Sequence, residues 1–291
     1  HFAVGAIAKA MGNRNLAWQR TWQQNYGLDL TLWKNRIDIS ADYYIKTSKD
    51  VLTAVTLAPS LGFSSYMDNL GEVENRGYEL SLRATLIRDQ SKKIFWSVNG
   101  SAIHNKNKLL KISNALKAYN ETSDSELDKE PNTDGKKSEV NRPRVRYVEG
   151  ASMNSIWVNH SLGIDPATGK EIFVARNGDL VTDWSSANYV IGGCTDSKVE
   201  GTFGSNFTWK GLSLNMTFRY RIGGQMYNQT LVDKVQDVDP RYNVDKRAFE
   251  QRWQEPGDKV RFAAFRTELN GINVAYVTRP TSRFVEDYNY L

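Results

Sequence analysis

Three histidines and one cysteine are the side chains with the most intrinsic reactivity in this sequence. His1, His104 and His160 each lack a second histidine or a carboxylate at metal-ligand spacing. Cys194 lies in a glycine-flanked segment with no neighbouring base to activate its thiol. No Gly-x-Ser-x-Gly nucleophile motif occurs, and no two carboxylates are marked out as a glycosidase pair. We therefore predict no catalytic residue, no metal site and no cofactor.

The segment Gly163–Glu171, GIDPATGKE, resembles a phosphate-binding loop but does not meet its requirements. The spacing between its glycines is one residue too long, and Glu171 stands where a magnesium-binding Ser or Thr is needed. Asp-Pro and Thr-Gly pairs instead predict a turn. A short strand from Ile172 and a second turn at Asn177-Gly178 then predict a small hairpin within a long loop.

Aromatic residues in or beside the long loops are better candidates for ligand binding. Trp157, Trp184, Tyr189 and Tyr227 could stack on sugar rings or on peptide side chains. The alternative is that these rings pack the loops against each other. The sequence leaves both interpretations open.

Overall composition limits the class of protein. The 291 residues are 40% hydrophobic and carry a net charge of +5, which does not require a nucleic-acid partner. No apolar run approaches the roughly 18 residues of a membrane-spanning helix. A single cysteine excludes an intramolecular disulfide framework.

Alternation of apolar and polar residues is the dominant pattern, and it predicts three long β-hairpins. The first has a two-residue turn at Lys34-Asn35, the second a turn from Asp89 to Lys92, and the third a tight turn at Lys210-Gly211. The strand runs are Tyr26–Leu32, Ile37–Ile45, Tyr78–Leu86, Trp96–Ala102, Val199–Trp209 and Leu212–Ile222. These runs of 7 to 11 residues are longer than the usual strand of about 5 to 6.

Short turns alternate with long connections along the chain. The connections run from Asp50 to Asn69, from Asn105 to about Lys198 and from Gly223 to about Pro280, and a seventh strand begins near Arg283. This layout is typical of an antiparallel transmembrane β-barrel with short periplasmic turns, long extracellular loops, an apolar outside and a polar inside. A soluble sandwich usually has shorter connections at both ends.

The sequence supports a further prediction for each of two segments in the long connections. The mixed charges from Ser123 to Arg146 predict a solvated, mobile loop rather than a nucleic-acid patch. The paired Gly223-Gly224 predicts a sharp exit from the barrel wall or a close backbone approach.

Six or seven strands cannot close around a large pore, so residues 1–291 are expected to form part of a larger barrel.

Several motifs resemble SusC-like TonB-dependent transporters, in that family's order and over nearly the whole chain. They are NLGEVENRGYE at Asn69–Glu79, the strand-like Asn15–Asp29 with Gln19 in place of the usual Glu, SLGIDPATGKEIF at Ser161–Phe173, RYRIGGQMYN at Arg219–Asn228, RWQEPGD at Arg252–Asp258 and PTSRFVEDYNY at Pro280–Tyr290. One departure follows Val190-Ile191-Gly192, where the family commonly has an acidic residue and a proline at a turn. Here the sequence continues Gly193-Cys194-Thr195-Asp196-Ser197.

This resemblance implies an all-β fold, about six or seven strands of a roughly 22-stranded outer-membrane barrel that holds an N-terminal plug. It also implies energy from the TonB complex, a SusD-like lipoprotein lid, contact with outer-membrane lipid, and import of oligosaccharides or oligopeptides. The plug and the TonB-contacting segment are expected outside this sequence. Two rival hypotheses are a soluble β-rich carbohydrate-binding or adhesin module and a glycoside hydrolase on a β scaffold.

Overall fold

The chain folds into long antiparallel strands joined by structured loops. The computed structural model describes residues 12–56, 65–69, 71–128, 139–239, 242–269, 272–274 and 278–291. Its strands are β1 Arg20–Leu32, β2 Ile37–Lys49, β3 Leu52–Thr56, β4 Ser65–Asn69, β5 Gly71–Asp89, β6 Ile94–Ile112, β7 Ser155–Asn159, β8 Ser161–Ile164, β9 Glu171–Val174, β10 Leu180–Val181, β11 Tyr189–Cys194, β12 Val199–Trp209, β13 Leu212–Tyr227, β14 Arg266–Leu269, β15 Ile272–Val274 and β16 Val285–Tyr290.

Seven of these strands form one open antiparallel sheet in the order β1-β2-β5-β6-β12-β13-β16. The three predicted hairpins and the predicted seventh strand are therefore confirmed. The third turn is the predicted two-residue turn, with positive φ at Lys210 (48°) and Gly211 (96°), the geometry that matches strand twist. The first turn is longer than predicted, because pairing stops at Leu32 and Ile37 and leaves four residues between them. The second is shifted by one residue, since Asp89 still pairs with Ile94.

The two faces of the sheet differ in chemistry, as the alternation predicts. Cross-strand pairing aligns Leu30, Ile39, Leu82 and Gly100 in one row and Asp29, Ser40, Ser81 and Ser101 in the next. The apolar face is exposed: residues with 40% or more of their surface accessible include Tyr26, Leu28, Leu30, Tyr78, Leu80, Leu82, Phe203, Leu214, Met216 and Phe218. We call it the outer face, and the polar one the inner face. An exposed apolar surface of this extent marks a face that contacts lipid or another protein.

Strands at the long-loop end continue beyond the predicted limits. Strand β6 reaches Ile112 rather than ending before Asn105, and β5 begins at Gly71. Of the two interpretations of Gly223-Gly224, the exit was wrong, because both lie within β13, which continues to Tyr227. The close backbone approach has support, because a Cβ at Gly224 would lie 3.3 Å from the Thr195 carbonyl oxygen. The register with β16 shifts between Arg221 and Gly224, so the glycines form a bulge in the strand.

The loops contain helices and small sheets. Helices are α1 Asn114–Asp128, α2 Gln229–Leu231 and α3 Arg247–Glu250; a π-helical turn spans Val232–Gln236, and 3₁₀ turns span Glu139–Asn141, Ser186–Asn188 and Ser282–Phe284. Strands β8, β9 and β10 form the predicted small hairpin sheet, while β7 pairs with β11, β3 with β4 and β14 with β15. None of the helices in the described part of the chain is long and apolar enough to span a membrane.

The expectation of a solvated loop from Ser123 to Arg146 was wrong for Ser123–Asp128, whereas residues 142–146 form neither helix nor strand. Residues up to Asp128 belong to α1, whose Leu127 is fully buried. Charges of opposite sign pair across this segment: Arg144 with Glu126 at 2.5 Å, and Arg146 with Asp124. Residues 129–138, with five of its charges, lie outside the described residues.

Buried residues gather at the long-loop end in three groups. The helix cluster comprises Val73, Leu109 and Leu116; the aromatic cluster comprises Leu127, Val140, Trp157 and Tyr189; the C-terminal cluster comprises Leu231, Val232, Val235, Val238, Ala248, Phe262 and Phe284. The loops therefore have cores of their own, stabilised by the burial of apolar surface. They form a folded cap over one end of the sheet.

Candidate functional site

An asparagine ladder runs across the upper inner face. The side-chain oxygen of Asn75 accepts from the Nδ2 of Asn107 at 3.0 Å and of Asn105 at 3.3 Å. The Tyr44 hydroxyl donates to Asn105 Oδ1 at 3.1 Å. Room for the Tyr44 ring depends on Gly77, where a Cβ would lie 2.8 Å from the hydroxyl oxygen and 2.1 Å from the His104 carbonyl oxygen. The ladder presents amide groups that can donate and accept hydrogen bonds.

Below this ladder the inner face carries a groove of about 330 Å³. Its polar lining consists of Asp29, Thr31, Asp38, Ser40, Ser81, Arg83, Asn99, Ser101 and Thr202. Thr31 donates to Asp38 at 3.0 Å, and the hydroxyls of Ser101 and Thr202 lie 3.0 Å apart. Short hydroxyl side chains and charges of both signs suit hydroxyl- or amide-rich molecules better than apolar ones.

The motif that begins at Asn69 has a structural explanation. Asn69 Nδ2 donates to the carbonyl oxygens of Ala17 (3.0 Å) and Asp50 (2.8 Å), while its Oδ1 accepts from the Ala17 N–H at 2.8 Å. Gly71 has φ +125°, and a Cβ there would lie 2.0 Å from the Lys111 carbonyl oxygen. This part of the motif joins the segment before β1 to the start of β5.

Two predicted ligand-binding aromatics are buried in the cap. Trp157 is 6% exposed and Tyr189 is 2% exposed, both within the aromatic cluster. The Arg146 guanidinium lies 5.8 Å and 5.9 Å from their ring centres. Burial raises the pKa of the Tyr189 phenol, so it stays neutral. In this arrangement both rings are covered by protein.

The other two predicted aromatics also pack against neighbours. Trp184 meets Tyr189 edge to face at 5.4 Å and donates from Nε1 to the Pro280 carbonyl oxygen at 3.0 Å. Tyr227 packs against Phe284 at 6.0 Å, in the C-terminal cluster. The structure thus brings three of the four together and leaves Tyr227 apart. Contact with substrate stays a prediction for all four, and their geometry is that of loop packing.

Sequence reasoning missed two arginines in the cap, Arg252, which is buried, and Arg283, which is nearly buried. Arg283 forms a two-point ion pair with Glu171, the residue that breaks the phosphate-loop pattern. Arg252 donates to the carbonyl oxygens of Ala248, Ala263, Val235 and Gln236 at 2.6–2.9 Å. Burial lowers the pKa of Arg252 to about 10. Both arginines lie within the motifs that resemble the family. This resemblance was the only signal in the sequence that pointed to them.

Histidine and cysteine chemistry has no support in the described geometry. No group of three or more His, Cys, Asp or Glu side chains in this part of the chain could hold a metal ion. His104 Nδ1 lies 2.6 Å from the Lys198 carbonyl oxygen. Cys194 ends β11 rather than lying in a turn, and burial raises the pKa of its thiol. At the departure from the family pattern, Gly192 and Gly193 continue this strand past Val158 and Val285.

An exposed apolar outer face, a polar inner face and a folded cap define the wall of a large β-barrel. The sequence matches the family model described as TonB dependent receptor-like, beta-barrel, over residues 3–236. This chain belongs to that family.

Individual relatives agree with this assignment. The chain is 26% identical to TonB-dependent receptor P39 of Formosa agariphila over 288 residues, covering 87% of this chain and 26% of the relative. It is 26% identical to TonB-dependent receptor SusC of Bacteroides thetaiotaomicron, covering 77% and 21%. Its fold is similar to the RagAB peptide transporter, with a TM-score of 0.71, 21% identity, and coverage of 96% of this chain and 28% of that one. The chain therefore spans about a quarter of these proteins' lengths.

Proposed function

We propose that this chain forms part of an outer-membrane importer for large nutrients, oligosaccharides or oligopeptides, driven by the TonB complex. The observation that carries the proposal is the separation of faces: leucines, aromatics and methionine outside, hydroxyls, amides and charges inside. Such a wall separates lipid from a polar interior. Relatives named as TonB-dependent receptors, and the likeness to a peptide transporter, support the same function.

The proposed orientation places the short turns in the periplasm and the folded cap outside the cell. Each of the three turns spans two to four residues, whereas the loops between hairpins carry the buried clusters. We propose that a SusD-like lipoprotein docks on this cap and delivers substrate to the inner face. The mechanism is differential binding and gating, with no covalent chemistry.

The inner groove gives this proposal a residue-level test. Arg83 and Asp38 are cross-strand partners on the groove floor. Replacing either with Ala in the full-length protein is expected to lower uptake while leaving the amount of folded protein unchanged. Leu80→Ala, on the outer face of the same strand, is the matched control and is expected to leave uptake unchanged.

The experiment on function uses a strain that lacks the complete gene. Uptake of fluorescent oligosaccharides and oligopeptides is measured in this strain, in the parent and in a strain without TonB. We expect one substrate class to be lost equally in both deletions. Unchanged uptake of both classes would refute the import proposal.

Purification of the full-length protein from outer membranes is expected to recover a surface lipoprotein, and the absence of such a lipoprotein would refute the proposed partner.

A further inference from the structure

A row of aromatic rings crosses four strands of the outer face. Cross-strand pairing aligns Tyr26, Tyr43, Tyr78 and His104. The three tyrosines are 41–60% exposed, and the Tyr78 and His104 rings lie 5.1 Å apart. Aromatic rings with polar edges concentrate where hydrocarbon meets headgroups. The row therefore marks the upper membrane boundary on this wall.

The depth of the apolar band agrees with that boundary. From Tyr78 to Leu86, nine residues and eight steps along the strand, the outer face of β5 is apolar. At about 3.4 Å per residue and a tilt of about 35–45°, these residues cover roughly 20 Å along the membrane normal. A barrel's apolar band is about 25 Å tall. The residues just beyond Tyr78 and His104 consequently lie at headgroup level.

Basic side chains occupy that level on the outer face. The row directly above the aromatic one contains Arg76 and Lys106, and the next contains Lys108. Lys106 is two residues beyond His104, about 7 Å along the strand. Lys49 and Lys111 continue the outer face upward opposite Glu72. Five basic residues therefore face outward here, against two acidic ones.

The two acidic residues do not neutralise the central lysines. Glu74 binds Arg76 at 2.6 Å, and Glu72 lies 3.6 Å from Lys49. Among the described residues, no carboxylate lies within ion-pair distance of Lys106 or Lys108. Both lysines are exposed. The wall thus carries two unpaired ammonium groups beside a row of membrane-boundary aromatics.

We propose that Lys106 and Lys108 bind the phosphate groups of anionic lipids in the leaflet at the capped end of the barrel. Phosphate is the complementary charge available at that depth, and ammonium groups on flexible stems reach it from the barrel wall. This inference rests on the barrel orientation of the proposed function. It requires a folded barrel in a membrane, but not transport.

The test is a lipid titration of the full-length protein in detergent, followed by native mass spectrometry. Phosphatidylglycerol is the anionic probe and phosphatidylcholine the zwitterionic one. We expect tighter binding of phosphatidylglycerol by the wild type. The variant K106Q/K108Q is expected to lose about fivefold in affinity for each lysine removed, with phosphatidylcholine binding unchanged.

Lys46 serves as the control for a positive charge at a similar height along the barrel wall. It lies opposite Asn75, which pairs with Asn107, so it lies between the levels of Lys106 and Lys108 but on the inner face. K46Q is expected to keep wild-type affinity for phosphatidylglycerol. Equal affinity of K106Q/K108Q and the wild type would overturn the proposal, as would an equal loss in K46Q. Uptake assays on the same variants report separately on transport.

Discussion

Arg283 and Glu171 form a nearly buried ion pair across 112 residues of sequence. Arg283 Nε lies 2.9 Å from Glu171 Oε1, and Nη2 lies 2.9 Å from Oε2, with side-chain exposures of 11% and 3%. The Thr281 hydroxyl donates to Oε1 at 2.6 Å. These bonds fasten the β8-β9 hairpin to the segment that enters β16. They join two parts of the cap that are distant in sequence.

Removal of the Glu171 carboxylate is therefore expected to loosen the cap. Glu171→Ala leaves a nearly buried guanidinium without its carboxylate partner, at a cost of up to about 3–5 kcal/mol. Hydrogen exchange in the full-length protein should rise across β8, β9 and residues 278–284. Glu250→Ala removes an exposed pair with Lys246 and is expected to cost less than about 0.5 kcal/mol. Equal protection in both variants would contradict the fastening role.

The aromatic cluster gives a second prediction about the cap. Tyr189→Ala removes a ring that contacts Trp184 and lies beside Arg146, and should cost about 3–5 kcal/mol by analogy with other buried aromatics. Faster exchange is expected in α1 and β7. Tyr242→Ala, at a residue that is 71% exposed, is the control and is expected to be neutral. If Tyr189→Ala instead weakened substrate binding with α1 fully protected, a ligand-contact role would replace the packing role.

Much of the barrel wall follows from the sequence, whereas its upper limit does not. Alternation revealed the hairpins because one face meets a non-aqueous surrounding, so every second residue must be apolar. Beyond His104 that requirement ends, and strand β6 continues through Asn105-Lys106-Asn107-Lys108 with polar residues on both faces. Periodicity cannot detect such a strand. Pairing with β5 sustains it instead.

The surroundings of the candidate site residues could not be predicted from the sequence, because they depend on contacts between distant segments. The predicted aromatics were taken from loop positions, but Trp157 and Tyr189 are buried by contacts with Leu127 and Val140, which are distant in sequence. Likewise, the Glu171 side chain has its partner 112 residues away. Those contacts depend on how the loops fold over the sheet end. Only the motif resemblance indicated that these segments belong together.

Gly77 offers a prediction about the inner face. A Cβ there would lie 2.1 Å from a backbone oxygen of His104, which cannot move without disturbing the β5-β6 pairing. Gly77→Ala should lower the free energy of unfolding by at least about 1–3 kcal/mol, which is the usual range for overpacking. Urea unfolding of the full-length protein in detergent measures this. Gly100→Ala is the control, since its nearest atom would be 3.8 Å away. Similar midpoints for the two variants would contradict the close-approach argument.

The assignment of faces is tested most directly on β13. Leu214 and Phe218 are 50% and 44% exposed on the outer face, and Asn215 lies on the inner face between them. Leu214→Arg or Phe218→Arg in the full-length protein should impair barrel assembly by roughly 2–4 kcal/mol each near the bilayer midplane, because the guanidinium would face hydrocarbon. Asn215→Arg should be tolerated better, because its charge enters a polar interior. The amount of folded barrel is measured from its heat-modifiable mobility on a gel. Equal tolerance at all three positions would mean that the apolar face does not meet lipid.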